Sequence, residues 1–154
     1  MKNIEYVEGS LEFLEYVKPL WRKLNNHHKT NSKYFKKRFD HIIFEKRNEK
    51  FQNSQNIKID LVKDTSSNTY IGYCISTINK DLVGEIDSLY VEKEYREHGI
   101  GATLMKRALD WLKKNMVKTN VIGVAEGNEN VLDFYKHYNF YPKMIILEEV
   151  NEQF

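Results

Sequence analysis

The sequence predicts an α/β domain built on a mixed sheet. Apolar residues recur at helical spacing in the N-terminal part, and the pattern then changes to the alternation typical of strands. Further along, a glycine-rich turn lies between an apolar strand and an amphipathic helix, and another strand follows that helix. A strand–helix–strand step of this kind predicts a right-handed parallel crossover.

The N-terminal part is expected to hold one strand and two helices. In order, these are a strand at 4–8, a helix at 11–28, a helix at 33–47 and a polar loop at 48–56. Pro19 lies inside the first helix and predicts a kink or a break there, because proline removes one backbone hydrogen bond. Ser32 can cap the second helix.

The rest of the chain predicts most of the sheet. Strands are expected at 57–62, 69–78 and 83–91, then a helix with an apolar stripe from Ile100 to Leu112, and a short strand at 121–124. A loop at 126–130, a helix at 131–138 and a final strand at 144–150 complete the prediction.

Composition narrows the class of protein. The chain has 154 residues, 41% of them hydrophobic, with 24 basic and 22 acidic residues. One globular domain over residues 1–154 is therefore expected, and the balanced charge disfavours nucleic acid or an anionic membrane as partner. No apolar run could span a bilayer and the N-terminus does not open as a signal peptide, so a soluble cytoplasmic protein is expected.

Neither the single cysteine nor the adjacent pair of histidines is expected to supply a catalytic group or a metal ligand. Cys74 is the only cysteine, which excludes an internal disulfide and a cysteine-rich zinc site, and it is expected to be a small buried side chain. His27 and His28 are adjacent on a helix and lack the spacing of metal ligands. No metal site is predicted.

The glycine-rich turn predicts an anion site. The first N–H groups of a helix lack an internal acceptor and carry partial positive charge, so a phosphate is a natural ligand. Glycine at two positions lets a ligand approach the backbone. The turn consists of Arg96, Glu97, His98, Gly99, Ile100, Gly101 and Ala102.

Three phosphate-binding patterns compete for this turn. A Walker A loop needs Gly-Lys-Ser/Thr, which does not occur in the chain. A dinucleotide fingerprint needs a third glycine where Leu104 stands. The pattern R-x-x-G-x-G/A is matched by Arg96, Gly99 and Gly101, and it suits a pyrophosphate, with Arg96 either binding the anion or holding the loop.

In this context the chain resembles the GNAT superfamily of acetyl-CoA-dependent N-acetyltransferases. The resemblance is carried by EIDSLYV at 85–91, YREHGIG at 95–101 and NENVLDFYKHYNF at 128–140, the last close to N-x-x-A-x-x-L-Y-x-x-x-G-F. It covers roughly residues 57 to 148, whereas the N-terminal helices match only in kind. It implies a three-layer fold, a mostly antiparallel sheet with about four helices, and splayed strands at the cofactor site.

The chain departs from the family pattern at three positions. None of these changes removes a chemical group that the family needs. Val131 replaces the usual alanine, and His98 stands where glycine or lysine is common. Asn139 replaces glycine after the last helix, where asparagine is the next-best residue for a left-handed cap.

The resemblance implies the residues that bind acetyl-CoA. The backbone of Leu89, Tyr90 and Val91 would bond the pantetheine arm, although simple core packing also explains these side chains. The turn at 96–102 would bind the pyrophosphate. Asn128 matches a cofactor-contacting asparagine of the family. Its alternative role is that of a helix N-cap or a loop-turn residue, and Asn130 competes for the cap.

Tyr135 matches the residue that protonates the departing CoA thiolate. A thiol titrates near ~8.5 and tyrosine near ~10, so a tyrosine hydroxyl can donate without being ionised at neutral pH. Core packing is the rival role for Tyr135, and Tyr138 is the fallback acid.

Glu85 is the candidate general base. It lies eleven positions before Arg96, a spacing at which some family members carry a catalytic glutamate. Alternation places Glu85 and Asp87 on one strand face, where mutual repulsion would favour protonation of one of them. Two solvated acids on an exposed face are the alternative.

The expected function is transfer of acetyl from acetyl-CoA to a primary amine of a small molecule, by direct attack in a ternary complex. A protein or peptide amine as acceptor and a non-catalytic acyl-CoA-binding module are the alternatives. The N-terminal helices would select the acceptor, and a homodimer is possible.

Overall fold

The computed structural model describes residues 3–151 around a five-stranded sheet. The strands follow chain order across the sheet and are β1 Ile4–Gly9, β2 Asn56–Asp64, β3 Thr69–Ile78, β4 Val83–Val91 and β5 Thr119–Ile122. The first four strands pair antiparallel, whereas β4 and β5 pair parallel. The mixed, mostly antiparallel sheet is confirmed.

Helices cover both faces of the sheet. They are α1 Leu14–Asn31, α2 Phe44–Gln52, α3 Ile100–Lys114 and α4 Leu132–Lys136, with short 3-10 turns between them. Helices α1 and α2 bury Val17, Trp21 and Phe51 against one face. On the other face α3 buries Leu104 and Met105, and the side chains of α4 pack beside it. The three-layer fold is confirmed.

The first helix continues through its proline. Pro19 lies in the second turn of α1, which runs unbroken to Asn31, so the predicted break is wrong. Val17, Leu20 and Trp21 are buried on both sides of the proline. We attribute the continuity to this packing, because burial of three apolar side chains, at about 1.5–3 kcal/mol each, outweighs the cost of roughly 3 kcal/mol for a proline inside a helix.

The second helix predicted at 33–47 is wrong. The chain forms a 3-10 turn at Lys36–Asp40, becomes extended at Ile43 and begins α2 only at Phe44. Phe44 and Phe51 are seven residues apart, lie on one side of α2 and are both buried, which anchors a helix that begins about three turns later than predicted. Part of the predicted loop at 48–56 is therefore helical.

The final strand predicted at 144–150 is also wrong. Residues 140–151 form no helix or strand, and the side chains of residues 141–150 are exposed. Before this segment, Asn139 adopts a φ of 66°, and the amide of Phe140 bonds the carbonyl of Tyr135 at 3.2 Å. The left-handed cap predicted for Asn139 is confirmed.

An ion pair inside the structure fixes α3 to the sheet. Arg107 Nε of α3 lies 2.9 Å from Asp60 Oδ1 of β2, and Lys58 Nζ lies 3.2 Å from the other carboxylate oxygen. Asp60 is fully buried, and two cations compensate its charge. This contact sets the position of the helix that begins at the glycine-rich turn.

Candidate active site

The sheet opens between β4 and β5. Parallel pairing joins Val83–Ile86 to Thr119–Ile122 and stops there, although β4 continues to Val91. On its other side, β4 remains paired with β3, and the register shifts so that Asp87 is the extra residue of a β-bulge. Residues 87–91 therefore have no strand partner on the side of the gap, where among the described residues only the Val91 carbonyl is bound, by Arg96 Nε, and an extended ligand could pair with the remaining groups.

The glycine-rich turn forms a second set of unpaired amides. Glu97 and Gly99 adopt φ values of 66° and 81°, and α3 begins directly afterwards at Ile100. Among residues 3–151, none accepts a hydrogen bond from the N–H groups of residues 97–102. A run of amides at the start of a 15-residue helix is a site for an anion.

Two side chains hold this turn in place. Arg96 Nε donates to the carbonyl of Val91 at 2.8 Å, and its guanidinium lies over the Tyr90 ring. Tyr95 Oη donates to Asp64 Oδ2 at 2.6 Å. Arg96 thus holds the loop, one of the two roles predicted for it.

The charge on Asp64 strengthens the second tether. Hydrogen bonds from Ser66 and Tyr95 hold the pKa of Asp64 at about 2, well below its ordinary value. The carboxylate stays ionised at neutral pH and keeps accepting from Tyr95. The end of β2 is thereby fastened to the residue just before the turn.

The other cofactor candidates surround the gap. Leu89 and Val91 both pack in the core beneath α3, so their side chains have the packing role that was the alternative to ligand binding. Their backbones lie on the open edge of β4. Asn128 occupies the N-cap position of the 3-10 turn before α4, and its carbonyl accepts from the Val131 amide at 3.2 Å, whereas its side chain makes no capping hydrogen bond. The alternative position at the start of this turn is therefore confirmed, and the contact of Asn128 with the cofactor stays a prediction.

Tyr135 lies on α4, in the layer beside α3. Its ring packs against Phe134, whose own ring lies near Gly101 in the glycine-rich turn. Burial, with a smaller contribution from the Cys74 thiol, raises the pKa of Tyr135 to about 12. The phenol is therefore protonated throughout the neutral range, as a proton donor must be. Tyr138 packs on Phe134 one turn later.

Glu85 and Asp87 share one face of β4, as predicted, and both contact Lys50. Lys50 Nζ lies 3.1 Å from Glu85 Oε1 and also bonds Asp87 Oδ1. Arg47 Nη2 lies 2.6 Å from Asp87 Oδ2. The repulsion expected between the two carboxylates is therefore compensated by cations from α2.

The Lys50 ammonium keeps its charge at this site. Burial works to lower the pKa of Lys50, but the hydrogen bond and the attraction to Asp87, together with those to Glu85, outweigh it and raise the pKa. Lys50 and Glu85 also line an open cavity of about 270 Å³, together with Asn53, Thr77 and Asn79. The ammonium group of Lys50 therefore occupies a position beside the Glu85 carboxylate.

Cys74 and the histidine pair have no visible catalytic setting. Burial raises the pKa of the Cys74 thiol to about 12, which keeps it protonated and inert, and its role as a buried side chain is confirmed. Burial, and then the neighbouring His27, lower the pKa of His28. Within residues 3–151, no three histidine, cysteine or acidic side chains converge as metal ligands would.

Glu126 joins the end of α1 to the loop after β5. Its Oε2 accepts from Ser32 Oγ at 2.5 Å, and its Oε1 accepts the amides of Lys33 and Tyr34 at 2.9 and 3.0 Å. Gly127 beside it has a φ of 92° and touches the carbonyl of Asn31 so closely that a Cβ atom would overlap it. We name these contacts the Glu126 clip.

Comparison with known proteins assigns the chain to a family. Residues 19–140 match the acetyltransferase (GNAT) family. Because this match covers most of the sequence, the chain belongs to that family. Within residues 3–151, no helix combines the length and apolar character needed to cross a bilayer.

Individual relatives support the family and the fold. An uncharacterized N-acetyltransferase of Methanocaldococcus jannaschii is 32% identical over 72 residues, or 47% of this chain. The matched region spans about a third, 32%, of the length of that protein. A putative acetyl transferase from Pyrococcus furiosus superposes with a TM-score of 0.68 at 19% identity, covering 94% of this chain and 99% of its own.

A further solved structure contains an acceptor-like ligand. AAC(6')-Iy in complex with the bisubstrate analogue CoA-S-monomethyl-acetylneamine superposes with a TM-score of 0.68 at 11% identity. The match covers 95% of this chain and 97% of that one. At this identity the likeness establishes the shared fold.

Sequence reasoning missed the cations of α2 and the Glu126 clip. The predicted second helix ends at Arg47, so the prediction puts Lys50 in the loop that follows. The buried pair Phe44 and Phe51, spaced by two helical turns, was the available signal for a later helix. Glu126 is separated from its partners by more than 90 positions, and no local pattern indicates such a contact.

The clip gives a prediction for local order. Hydrogen bonds from Ser32 and from the Lys33 and Tyr34 amides lower the pKa of Glu126 below 4.5. Since the folded pKa is lowered, the clip stabilises the fold above pH 4.5 and is lost as pH falls through the lowered pKa. We expect Glu126→Ala to speed hydrogen exchange of the two amides severalfold at pH 7.

Glu129→Ala is the matched control for this measurement. Glu129 accepts only the amide of Gly127, at 3.0 Å, in the same loop. Its loss should leave the exchange of Lys33 and Tyr34 unchanged. Equal effects of the two substitutions on these amides would contradict the clip.

Proposed function

We propose that this protein transfers an acetyl group from acetyl-CoA to a primary amine of a small molecule, by direct attack in a ternary complex. One observation carries the proposal. The open edge of β4 and the unpaired amides of residues 97–102 lie at consecutive places along the chain, so one ligand with an extended arm and a pyrophosphate fits both. Acetyl-CoA has this chemistry.

The proposed donor site uses mostly backbone groups. The edge formed by Leu89, Tyr90 and Val91 bonds the pantetheine arm, and the amides from Glu97 to Ala102 bond the pyrophosphate. These groups are held before the ligand arrives, because Arg96 and Tyr95 anchor the turn. The side chain of Asn128 makes no capping bond and is available to the ligand.

The proposed chemistry needs three proton transfers. The acceptor ammonium gives a proton to Glu85, directly or through water, and its nitrogen then attacks the thioester carbonyl. When the C–S bond breaks, the CoA thiolate receives a proton from the Tyr135 hydroxyl. The nitrogen of the adduct gives up its second proton, which restores the Tyr135 hydroxyl directly or through water. Attack, C–S cleavage and the three proton transfers leave an amide, a thiol and a protonated carboxyl group.

A small cationic acceptor is supported by the charges beside Glu85. Glu85 and Asp87 bind the Lys50 ammonium in the free protein, so an acceptor ammonium finds a compatible environment there. Solved structures with this fold include aminoglycoside acetyltransferases, one of them in complex with sisomicin, a ligand of that protein. We place the acceptor beside Glu85.

The proposal is tested by measuring free thiol with acetyl-CoA and a panel of polyamines, aminoglycosides, amino acids and lysine peptides. Thiol release with a small amine, and formation of its N-acetyl product, is the expected result. Thiol release only with the lysine peptides would show that the acceptor is a peptide amine and not a small molecule. Calorimetric binding of CoA without thiol release for any amine would favour an acyl-CoA-binding module.

Tyr135→Phe is expected to lower kcat by about 10²-fold while leaving the Kd for acetyl-CoA nearly unchanged. The hydroxyl is lost, whereas the ring packing against Phe134 is kept. Since the pKa of Tyr135 is about 12, its ionisation should not reduce wild-type activity below about pH 10. Steady-state kinetics and calorimetry measure both constants.

Tyr138→Phe is the control for this substitution. It removes a hydroxyl one turn away on the same aromatic cluster. A larger loss of kcat from Tyr138→Phe than from Tyr135→Phe would transfer the acid role to Tyr138, and no loss from either would exclude both.

Glu85→Gln is expected to lower kcat/KM at neutral pH about 10²-fold and to shift the rise of activity to higher pH. Without the carboxylate, only amine that is already deprotonated in solution can react. The pH profile of kcat/KM is the measurement. Glu45→Gln, which removes an exposed partner of Lys18, should keep the wild-type profile, and a wild-type profile for Glu85→Gln would exclude Glu85 as base.

A further inference from the structure

We propose that Lys50 is an internal acceptor: when no external amine is present, the chain transfers an acetyl group from acetyl-CoA to the Nζ atom of its own Lys50. This inference rests on the proposed function and adds a modification site to it. An external amine competes with Lys50 for the place beside Glu85, so it slows the modification.

The amino group of Lys50 lies beside the proposed base. Its Nζ atom is 3.1 Å from Glu85 Oε1 and also bonds Asp87 Oδ1. Among the lysines of residues 3–151, only Lys50 forms an ion pair with Glu85. A general base must lie within hydrogen-bond reach of the proton that it removes, and Glu85 meets this condition for Lys50.

The proposed donor site leads the thioester to the same place. An arm that begins at the pyrophosphate site of residues 97–102 runs back along the edge of β4 from Val91. The pairing of β4 with β5 closes the gap at Ile86, so an extended ligand ends beside Asp87. Because Lys50 is bonded to Asp87, the nitrogen and the thioester carbon meet at one residue, and proximity favours their reaction.

The side chain of Lys50 can leave its ion pairs without leaving a buried charge alone. It is 43% exposed, whereas the side chain of Asp87 is fully buried. Arg47 Nη2 lies 2.6 Å from Asp87 Oδ2, so Asp87 keeps a cation when Lys50 loses its charge. The backbone of Lys50 stays in place, because Phe51 beside it is buried and Ser54 Oγ donates to the Lys50 carbonyl at 3.1 Å.

The step is balanced in atoms and charge. The Lys50 ammonium gives one proton to Glu85, and the free Nζ atom attacks the thioester carbon. The N–C bond forms, the C–S bond breaks, and the CoA thiolate takes the proton of the Tyr135 hydroxyl. The second proton of the nitrogen restores that hydroxyl. The products are acetylated Lys50, the CoA thiol and protonated Glu85, and the reaction occurs once in each chain.

Uncatalysed acetylation in solution would favour other lysines. Burial works to lower the pKa of Lys50, but its hydrogen bonds and attraction to Asp87 and Glu85 raise it, so less free amine is present than at an ordinary lysine. Preferential acetylation of Lys50 therefore indicates catalysis by the site. Lys46 is exposed one turn earlier on α2 and serves as the internal reference.

The experiment incubates the full chain with acetyl-CoA alone and follows intact mass and peptide masses over time. We expect one acetyl group on Lys50, added at least about 10-fold faster than on Lys46, because proximity and the base act only at Lys50. The rate should not depend on protein concentration. An excess of a small amine that the enzyme acetylates should slow it.

Lys50→Arg should abolish the fast modification, because a guanidinium group stays protonated and keeps the ion pairs. Lys46→Arg is the matched control on the same helix and should leave the acetylation of Lys50 unchanged. Equal rates at Lys50 and Lys46, or a rate that rises with protein concentration, would overturn the inference.

The amine panel separates this inference from the proposed function. Catalytic thiol release with a small amine, while Lys50 stays unmodified, would overturn the inference alone. Acetylated Lys50 with no thiol release beyond one equivalent for any external amine would support the inference and contradict the small-molecule acceptor. Absence of both reactions would overturn both.

Discussion

The early end of the β4–β5 pairing is the constraint on which the site depends. Four residues of each strand pair, and β4 then continues for five more residues without a strand on that side, while it stays paired with β3 on the other. A buried backbone that lacks partners is unfavourable, so this gap must be filled by water or by a ligand. The glycine-rich turn comes directly after the open edge, and the chain thereby places two sets of unpaired amides beside each other.

Contacts away from the gap keep it open. Asp87, the bulged residue of β4, is tied to Arg47 and Lys50, which fastens α2 over the point where the strands separate. On the opposite face, the pair formed by Asp60 and Arg107 fixes α3. These ion pairs fasten both helices to the sheet strands on either side of the opening.

The sequence was informative where local pattern and tertiary environment agree. The three central strands, the glycine-rich turn and the left-handed Asn139 follow from alternation and from backbone conformation alone. The region 33–56 was predicted poorly, because Tyr34 and Ile43 look like helix-face residues but are exposed, while Phe44 and Phe51 decide where α2 packs. Residues 144–150 have strand propensity but pair with no strand among residues 3–151. For the candidate site, family motifs indicated Glu85 and Tyr135, whereas Lys50 and Glu126 act through contacts between distant segments.

The Glu126 clip limits how the segment after α1 can be re-engineered. This segment belongs to the N-terminal part that we propose selects the acceptor, which makes it an attractive part to exchange with that of a relative. Here its backbone is bound by the carboxylate of Glu126 and rests against Gly127, where a side chain would overlap the Asn31 carbonyl. A transplanted segment would therefore have to bring the matching 126–127 pair with it, so the exchangeable module is discontinuous in sequence.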